Sequence, residues 1–237
     1  MRALLRARRG ELLGLNLSIV IPALNAARTL PACLERVAGH GEIILVDGGS
    51  TDGTQAIAKA SGARLLDAPK GRGVQLRAGA EVASGDWLIS LHADTLLEQG
   101  WREAVQRHVD TAPRYAACFR FRLDAAAWQA RVIEKGVAAR VRMLGLPYGD
   151  QGLLVPRQLY EAVGGYRPLP LMEDVDLIRR IGRRRLRVLD AEAVTAADRW
   201  RRDGWFKRSA RNLTCLALYG AGVSAERLAR LYDAPKR

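Results

Sequence analysis

Three short stretches of this sequence place carboxylates where they could do chemistry. The first is IILVDGGSTDGT at 43–54, where Asp47 follows a branched apolar run and precedes Gly48 and Gly49. The loop has neither GxGxxG nor a lysine behind a glycine, so it is not one of the common phosphate cradles. A carboxylate here suits ribose hydroxyls or a base N–H, while the glycines let a ligand approach the backbone. A plain strand–turn–helix, with Ser50 or Thr51 capping the helix, uses the same residues. The second is SLHADTLL at 90–97, where His92 and Asp94 flank Ala93. In an extended strand, residues two apart point the same way. An imidazole and a carboxylate together can hold a divalent cation against substrate phosphates. A helix N-cap built on Asp94 or Thr95 is the competing reading. The third is MEDVD, where Glu173 and Asp174 either supply a general base or simply place negative charge at a helix N-terminus.

The elements that must position these groups follow from apolar periodicity. Short apolar runs at 17–21, 42–46, 64–67 and 86–91 read as strands. Between them, 26–38, 54–61 and 73–83 read as helices, with Gly62 and Ser84-Gly85 closing two of them. Strand–helix alternation of this kind predicts a mainly parallel sheet with helices on both faces. After about residue 100 the rhythm changes. Helices are expected at 100–110, 125–144, 156–163 and 174–181, with strands at 116–123 and 153–155 and a turn at 147–149. No repeat or linker separates the halves, so the second half is expected to complete the same domain. In open parallel sheets ligands bind at the carboxyl ends of the strands. Pro22-Ala23-Leu24-Asn25, Asp47-Gly48-Gly49-Ser50 and His92-Ala93-Asp94 should therefore lie side by side.

Composition narrows the class. A chain of 237 residues, 49% hydrophobic and 27% charged, can bury a sizeable core. Cys33, Cys118 and Cys215 are far apart and lack metal-knuckle spacing, which fits a reducing compartment. No run reaches the length of a membrane span, and residues 1–15 lack a signal peptide's apolar core, so they read as an extension and the expected location is cytoplasmic. The net charge of +13 comes almost entirely from arginine, concentrated at 179–187 and 199–211. It calls for an anionic partner or reflects base composition alone. Carboxylates at the strand ends argue against a nucleic acid, whose backbone they would repel. Trp200, Trp205 and Phe206 interleaved with cations suit the headgroup region of an anionic membrane, and equally a C-terminal helix packed on the domain.

In that order, SIVIPALNA, ILVDGGSTDGT and SGDWLISLHADT resemble the nucleotide-sugar half of the inverting family 2 glycosyltransferases with the GT-A fold. LPYGDQGLLVPRQLYEAVGGY, LMEDVDLIRR and ADRWRRDG resemble the acceptor half, most closely in a short bacterial subgroup without membrane spans. The resemblance covers about 16–232, with 16–100 as the nucleotide half and 101–232 as the acceptor half. It implies a nucleoside pocket lined by Pro22, Ala23 and Asn25, with Asp47, Gly49 and Ala93 near the base and ribose. Arg77 would reach a phosphate or lie on the surface. Asp94 would ligate Mg2+ or Mn2+ on the diphosphate, with His92 beside it. Asp174 would be the general base, with Glu173 tuning it or orienting the loop. Gly149, Asp150 and Gln151 would face the acceptor or donor sugar, and Trp200 with Arg199 or Arg201 would close over the diphosphate.

The sequence departs from the family at three points. Gly48 stands where many members have a second acidic residue, so a UDP-linked donor cannot be told from a GDP-linked one. Ala26 replaces a frequent Glu. His92 replaces the first Asp of the DxD motif, and imidazole suits Mn2+ better than Mg2+. The resemblance implies a peripheral enzyme on the inner face of the cell membrane if its acceptor is lipid-linked. The alternatives are a nucleotidyltransferase, a catalytically silent nucleotide binder and, on charge alone, a nucleic-acid-binding protein.

Overall fold

In the computed structural model, which describes residues 15–233, eight strands form one sheet. The expected extension at 1–15 lies almost wholly outside the described residues. The strands are β1 (Leu17–Ala23), β2 (Glu42–Asp47), β3 (Arg64–Asp67), β4 (Trp87–Ser90), β5 (Thr95–Leu97), β6 (Ala116–Asp124), β7 (Leu153–Pro156) and β8 (Leu186–Ala196). Their order is β3-β2-β1-β4-β7-β6-β8-β5. β1 runs parallel to both β2 and β4, and β2 to β3, as right-handed strand–helix–strand units require. β7 is antiparallel to β4 and β6, joining the first half of the chain to the second in one sheet.

Alternation along β1 sets the two layers. Leu17, Ile19 and Ile21 face helix α1 (Leu30–Val37), which buries Leu30, Cys33, Leu34 and Val37. Val20, with Ile44 and Val46, faces α3 (Arg72–Val82) through Leu76 and Ala80. α2 (Thr54–Ala60) links β2 to the edge strand β3, and α4 (Trp101–Thr111) packs Trp101, Ala104 and Val105 into the first layer. α5 (Trp128–Leu144), α6 (Arg157–Ala162) and α7 (Glu173–Ile181) belong to the second half. The last three helices, α8 (Asp198–Asp203), α9 (Trp205–Gly220) and α10 (Ala225–Asp233), pack beside α5 and the loop before α7.

Two differences from the sequence reading bear on the site. The helix expected over 26–38 starts only at Leu30. The backbone N–H groups of Asn25, Ala26 and Ala27 donate instead to Ser50 Oγ, Thr54 Oγ1 and Asp52. That stitches the loop after β1 to the loop after β2, and the chain makes a turn before the helix, with Thr29 N and Leu30 N both donating to Ala26 O. The strand carrying His92 is likewise shorter: β4 ends at Ser90, and His92–Asp94 form the turn into β5, with Thr95 N bonded to His92 O.

Candidate active site

The register of the sheet brings the three strand ends together. Ala23 sits opposite Asp47, and Val20 opposite Ser90. Above them opens a cleft of about 580 Å3, a volume ordinary for a site that takes a small molecule. One wall is Pro22, Ala23 and Asn25. His92, Ala93 and Asp94 lie along the cleft, while Gly149, Asp150 and Asp174 come from the second half. α8 and α9 contribute Arg199, Trp200, Arg208 and Asn212. Both halves of the chain thus build the cleft.

Local backbone conformation aims these groups. Among the described residues the two non-glycines with positive φ are Asn25, at 50°, and Met172, at 66°. Both line the cleft. Such conformations cost free energy and persist where surrounding contacts fix them. At Asn25 the fixing contact is its Oδ1, which accepts from Thr51 N at 2.9 Å. Met172 immediately precedes α7, so its turn directs the Asp174 side chain toward the cleft. There Asp174 Oδ2 accepts the Gly149 N–H at 2.6 Å and Oδ1 accepts the Val175 N–H at 2.7 Å. A Cβ at position 149 would lie 2.6 Å from His92 Nε2 and 3.4 Å from Asp174 Oδ2. Only glycine allows the imidazole and this carboxylate to close on the same backbone.

The charges are arranged in a ring. Arg72, at the start of α3, pairs at 3.1 Å with Glu173, which is 1% exposed. Arg199 lies 3.7 Å from Asp94. Burial, and after it the Arg72 guanidinium, push the His92 imidazole down to about 4, so the ring is neutral and its nitrogen lone pair is available at ordinary pH. Burial pushes the Asp150 carboxyl up to about 6; Arg140 opposes the rise and Asp174 adds to it. Asp150 Oδ1 is buried and has no hydrogen-bond partner. Burial raises Glu173 as well, against the pull of Arg72.

These groups fit a divalent cation in one particular manner. Among the described residues no three His, Cys, Asp or Glu side chains converge into a protein-only cage. A carboxylate, Asp94, and a neutral imidazole, His92, at an open cleft instead suit an ion that takes its remaining ligands from substrate oxygens. The imidazole favours Mn2+ over Mg2+.

Several expected site residues lie elsewhere. Arg77 is outside the cleft, 2.8 Å from Glu81 one helical turn on. The α3 guanidinium that lines the cleft is Arg72, about one and a half turns earlier. Its signal was the KGRG that opens the helix, where glycines flank a lone arginine at a strand-to-helix junction. Gln151 is 2% exposed and spends its amide on Phe119 O at 3.0 Å and on Arg140, so it belongs to the frame. Asp47 is fully buried and turned into its own loop. It accepts from Ser50 N and Gly49 N, from Ser50 Oγ and from Gln55 Nε2. Burial alone would raise its pKa, but these bonds outweigh it and hold the carboxyl below the usual range. Asp47 and the exposed Gly49 therefore shape the wall from behind. Neither Ser50 nor Thr51 caps α2. The N-cap is Gly53, which carries no side-chain cap, and Asp52 just before it accepts from Thr54 N at 3.0 Å. Glu173 faces Arg72, and Trp200 is buried against Phe121 with the Arg208 guanidinium 5.0 Å from its ring. Gln75, unforeseen in the sequence, bonds Ala23 O and Val46 O and so ties α3 to two of the three strand ends.

Comparison with known proteins bears on the same region. A family model described as Glycosyl transferase family 2 matches residues 18–153, more than half of the chain. A PGL/p-HBAD biosynthesis glycosyltransferase of Mycobacterium bovis is 40% identical over 111 residues, 42% of this chain and 40% of that protein. An undecaprenyl-phosphate 4-deoxy-4-formamido-L-arabinose transferase of Aeromonas hydrophila is 36% identical over 110 residues, 40% of this chain and 33% of that protein. The match thus covers less than half the length of either relative. Among solved structures, S. aureus TarS 1-349 superposes with a TM-score of 0.60 at 14% identity, covering 90% of this chain and 68% of that one. Glucosyl-3-phosphoglycerate synthase from Mycobacterium tuberculosis, in complex with Mn2+ and UDP-glucose, gives 0.55 at 18% identity, covering 78% and 70%. At such identity the superpositions speak for the fold alone, and they match the GT-A arrangement of one curled sheet flanked by helices. With its strand ends, its cleft and the matched span all in the same part of the molecule, the chain belongs to glycosyl transferase family 2.

Proposed function

We propose that the protein transfers a sugar, with inversion, from a nucleoside-diphosphate donor to a hydroxyl acceptor. The observation that carries this is the convergence of Asp94, His92 and Asp174, from opposite halves of the chain, on one cleft. Residues 16–100 hold the donor and 101–232 hold the acceptor. Pro22, Ala23 and Asn25 line the nucleoside end. Arg72 and Arg199 are the cations for the diphosphate. A Mn2+ or Mg2+ ion held by Asp94, with His92 and the open oxygen of Asp150 at hand, would stabilise negative charge building on the leaving diphosphate. Asp150 and Gly149 border the donor sugar, and Trp200 backs the diphosphate end.

The chemistry asked of the chain itself is a single displacement. The acceptor oxygen attacks the anomeric carbon from the face opposite the nucleotide as the bond to the diphosphate oxygen breaks. Asp174 takes the hydroxyl proton as the new bond forms. Its two amide contacts leave lone pairs for that proton and fix the carboxylate's orientation. Glu173 acts through Arg72, keeping that cation at the cleft.

A UDP- or GDP-linked donor and a lipid-linked acceptor are the substrate classes we favour. Solved structures similar in fold include complexes with UDP-GlcNAc and with UDP-glucose, and one relative's name specifies undecaprenyl phosphate. A lipid-linked acceptor would place the protein on the cytoplasmic face of a membrane; among the described residues no helix is long and apolar enough to cross one. The test is product stereochemistry. Incubation with α-linked UDP-sugars and a bacterial lipid extract should yield a β-linked product by proton NMR. Asp174→Asn should lower transfer about 100-fold or more while leaving nucleotide affinity unchanged. A retained anomeric configuration, or full transfer by Asp174→Asn, would overturn the assignment.

A further inference from the structure

Helices α5 and α9 pack side by side, and among the described residues nothing covers their outer faces. On α5 the exposed residues at helical spacing are Trp128, Val132, Gly136, Ala139 and Met143, with Trp128 64% and Met143 61% exposed. On α9 they are Phe206, Ala210 and Leu213. The rings of Trp128 and Phe206 meet at a centroid distance of 5.9 Å, which joins the two stripes. A soluble helix pair ordinarily shows water a polar face, so a continuous apolar one with two large aromatics marks a contact surface.

The charges around it say what it contacts. Lys135 and Arg142 flank the stripe on α5, and Lys207 flanks it on α9; all three are exposed. Among the described residues none of the three has a carboxylate within ion-pair distance. α9 contains no acidic residue, and the one carboxylate of α5, Glu134, is turned inward to Leu123 N and Arg131. The unpaired charges that these two helices set beside the stripe are therefore of one sign. A second copy packed across a two-fold axis would set these cations against themselves. The two rings, Trp128 and Phe206, pack on each other, and the rest of the stripe, Val132, Met143 and Leu213, is aliphatic and offers nucleic-acid bases nothing to stack on. Aromatic and aliphatic side chains that enter the acyl boundary, with cations at headgroup level, match an anionic bilayer.

We propose that the outer face of α5 and α9 docks the protein on an anionic phospholipid surface. The inner face of α9 supplies Arg208, Asn212 and Cys215 to the cleft. Docking by the outer face therefore leaves the cleft about one helix diameter, ~10 Å, from the membrane surface, where a lipid-linked hydroxyl would meet it. The docking itself does not depend on the transferase reading, although the purpose just given to it does.

Vesicle co-sedimentation of the full chain, without nucleotide or acceptor, tests the docking separately from sugar transfer. The chain should bind phosphatidylcholine vesicles containing about one third phosphatidylglycerol, and bind pure phosphatidylcholine at least about tenfold more weakly. Binding should fall as salt shortens the Debye length to about 3 Å near 1 M. The pair Trp128→Ser/Phe206→Ser and the pair Lys135→Glu/Lys207→Glu should each weaken it at least about tenfold, with unchanged circular dichroism. All four side chains lie outside the cleft. Equal binding to both vesicles, or wild-type binding by folded variants of both pairs, would overturn the proposal. So would a concentration-dependent dimer that the aromatic pair abolishes, which would assign the face to a second copy.

Discussion

His92 shows how a single residue's surroundings decide its chemistry. An exposed imidazole would be about one quarter protonated at pH 7 and must lose that proton to bind a metal. Burial, with Arg72 behind it, holds this one neutral down to about 4. The linkage has a definite sign. The folded pKa lies below the unfolded value of about 6.5, so as pH falls through that window the unfolded chain takes up the proton first and stability is lost. His92→Asn removes this loss. Measured by urea unfolding, its stability relative to wild type should rise between pH 6.5 and about 4, by an amount on the order of 1–3 kcal/mol. Asp150, with its pKa raised, acts in the opposite direction in both proteins and cancels in the difference. A flat difference across that range would contradict the buried, neutral imidazole.

At the scale of elements, α3 does more than its sequence advertises. It begins with Arg72 in the cleft, anchors two strand ends through Gln75, and crosses the sheet at Gly79. A Cβ at Gly79 would fall 2.3 Å from Val20 Cγ1 and 2.9 Å from Val46 Cγ2. Gly79→Ala must therefore lift the helix from the sheet, even though alanine is the better helix former. Thermal unfolding should show a loss of about 1–3 kcal/mol, and the displaced Arg72 should weaken diphosphate binding. An unchanged or raised Tm would show that the sheet yields instead.

The same scale explains what could be read in advance. The alternating elements up to β4 were legible because their buried runs are Ile, Leu and Val, with glycines or prolines at the ends. β8 was not, because its inward residues after Leu189 are Ala191, Ala193 and Thr195, which carry little apolar signal, and because a bulge opposite Cys118–Arg120 breaks its register. Residues such as Asp94, Asp174 and Gly149 were legible from motif order. Gln75 was not, since only the packing of α3 sets it apart, and the one cue for Arg72 was the pair of glycines around it. Asp47 misled because a loop carboxylate looks free in sequence; here the loop's own N–H groups consume it.

At the scale of the molecule, the two halves share one sheet, and the cleft exists only where they meet. β7 joins them by pairing with β4, and the strand-end loops of the first half face Asp174 from the second. An excess of cations surrounds this acidic centre: Arg72, Arg199 and Arg208 line the cleft, and the net charge is +13. On the proposed function, such a field would draw in a nucleoside diphosphate together with a metal ion, which a bare acidic cleft would not. The most direct measurement of this account is calorimetric titration of UDP, GDP and ADP, each with and without Mn2+, into wild type and Asp94→Ala. The account predicts that one nucleotide binds, that Mn2+ tightens it at least about tenfold, and that Asp94→Ala abolishes the metal's effect without unfolding the protein. No binding of any of the three by a folded chain, or a metal effect that survives in Asp94→Ala, would contradict it.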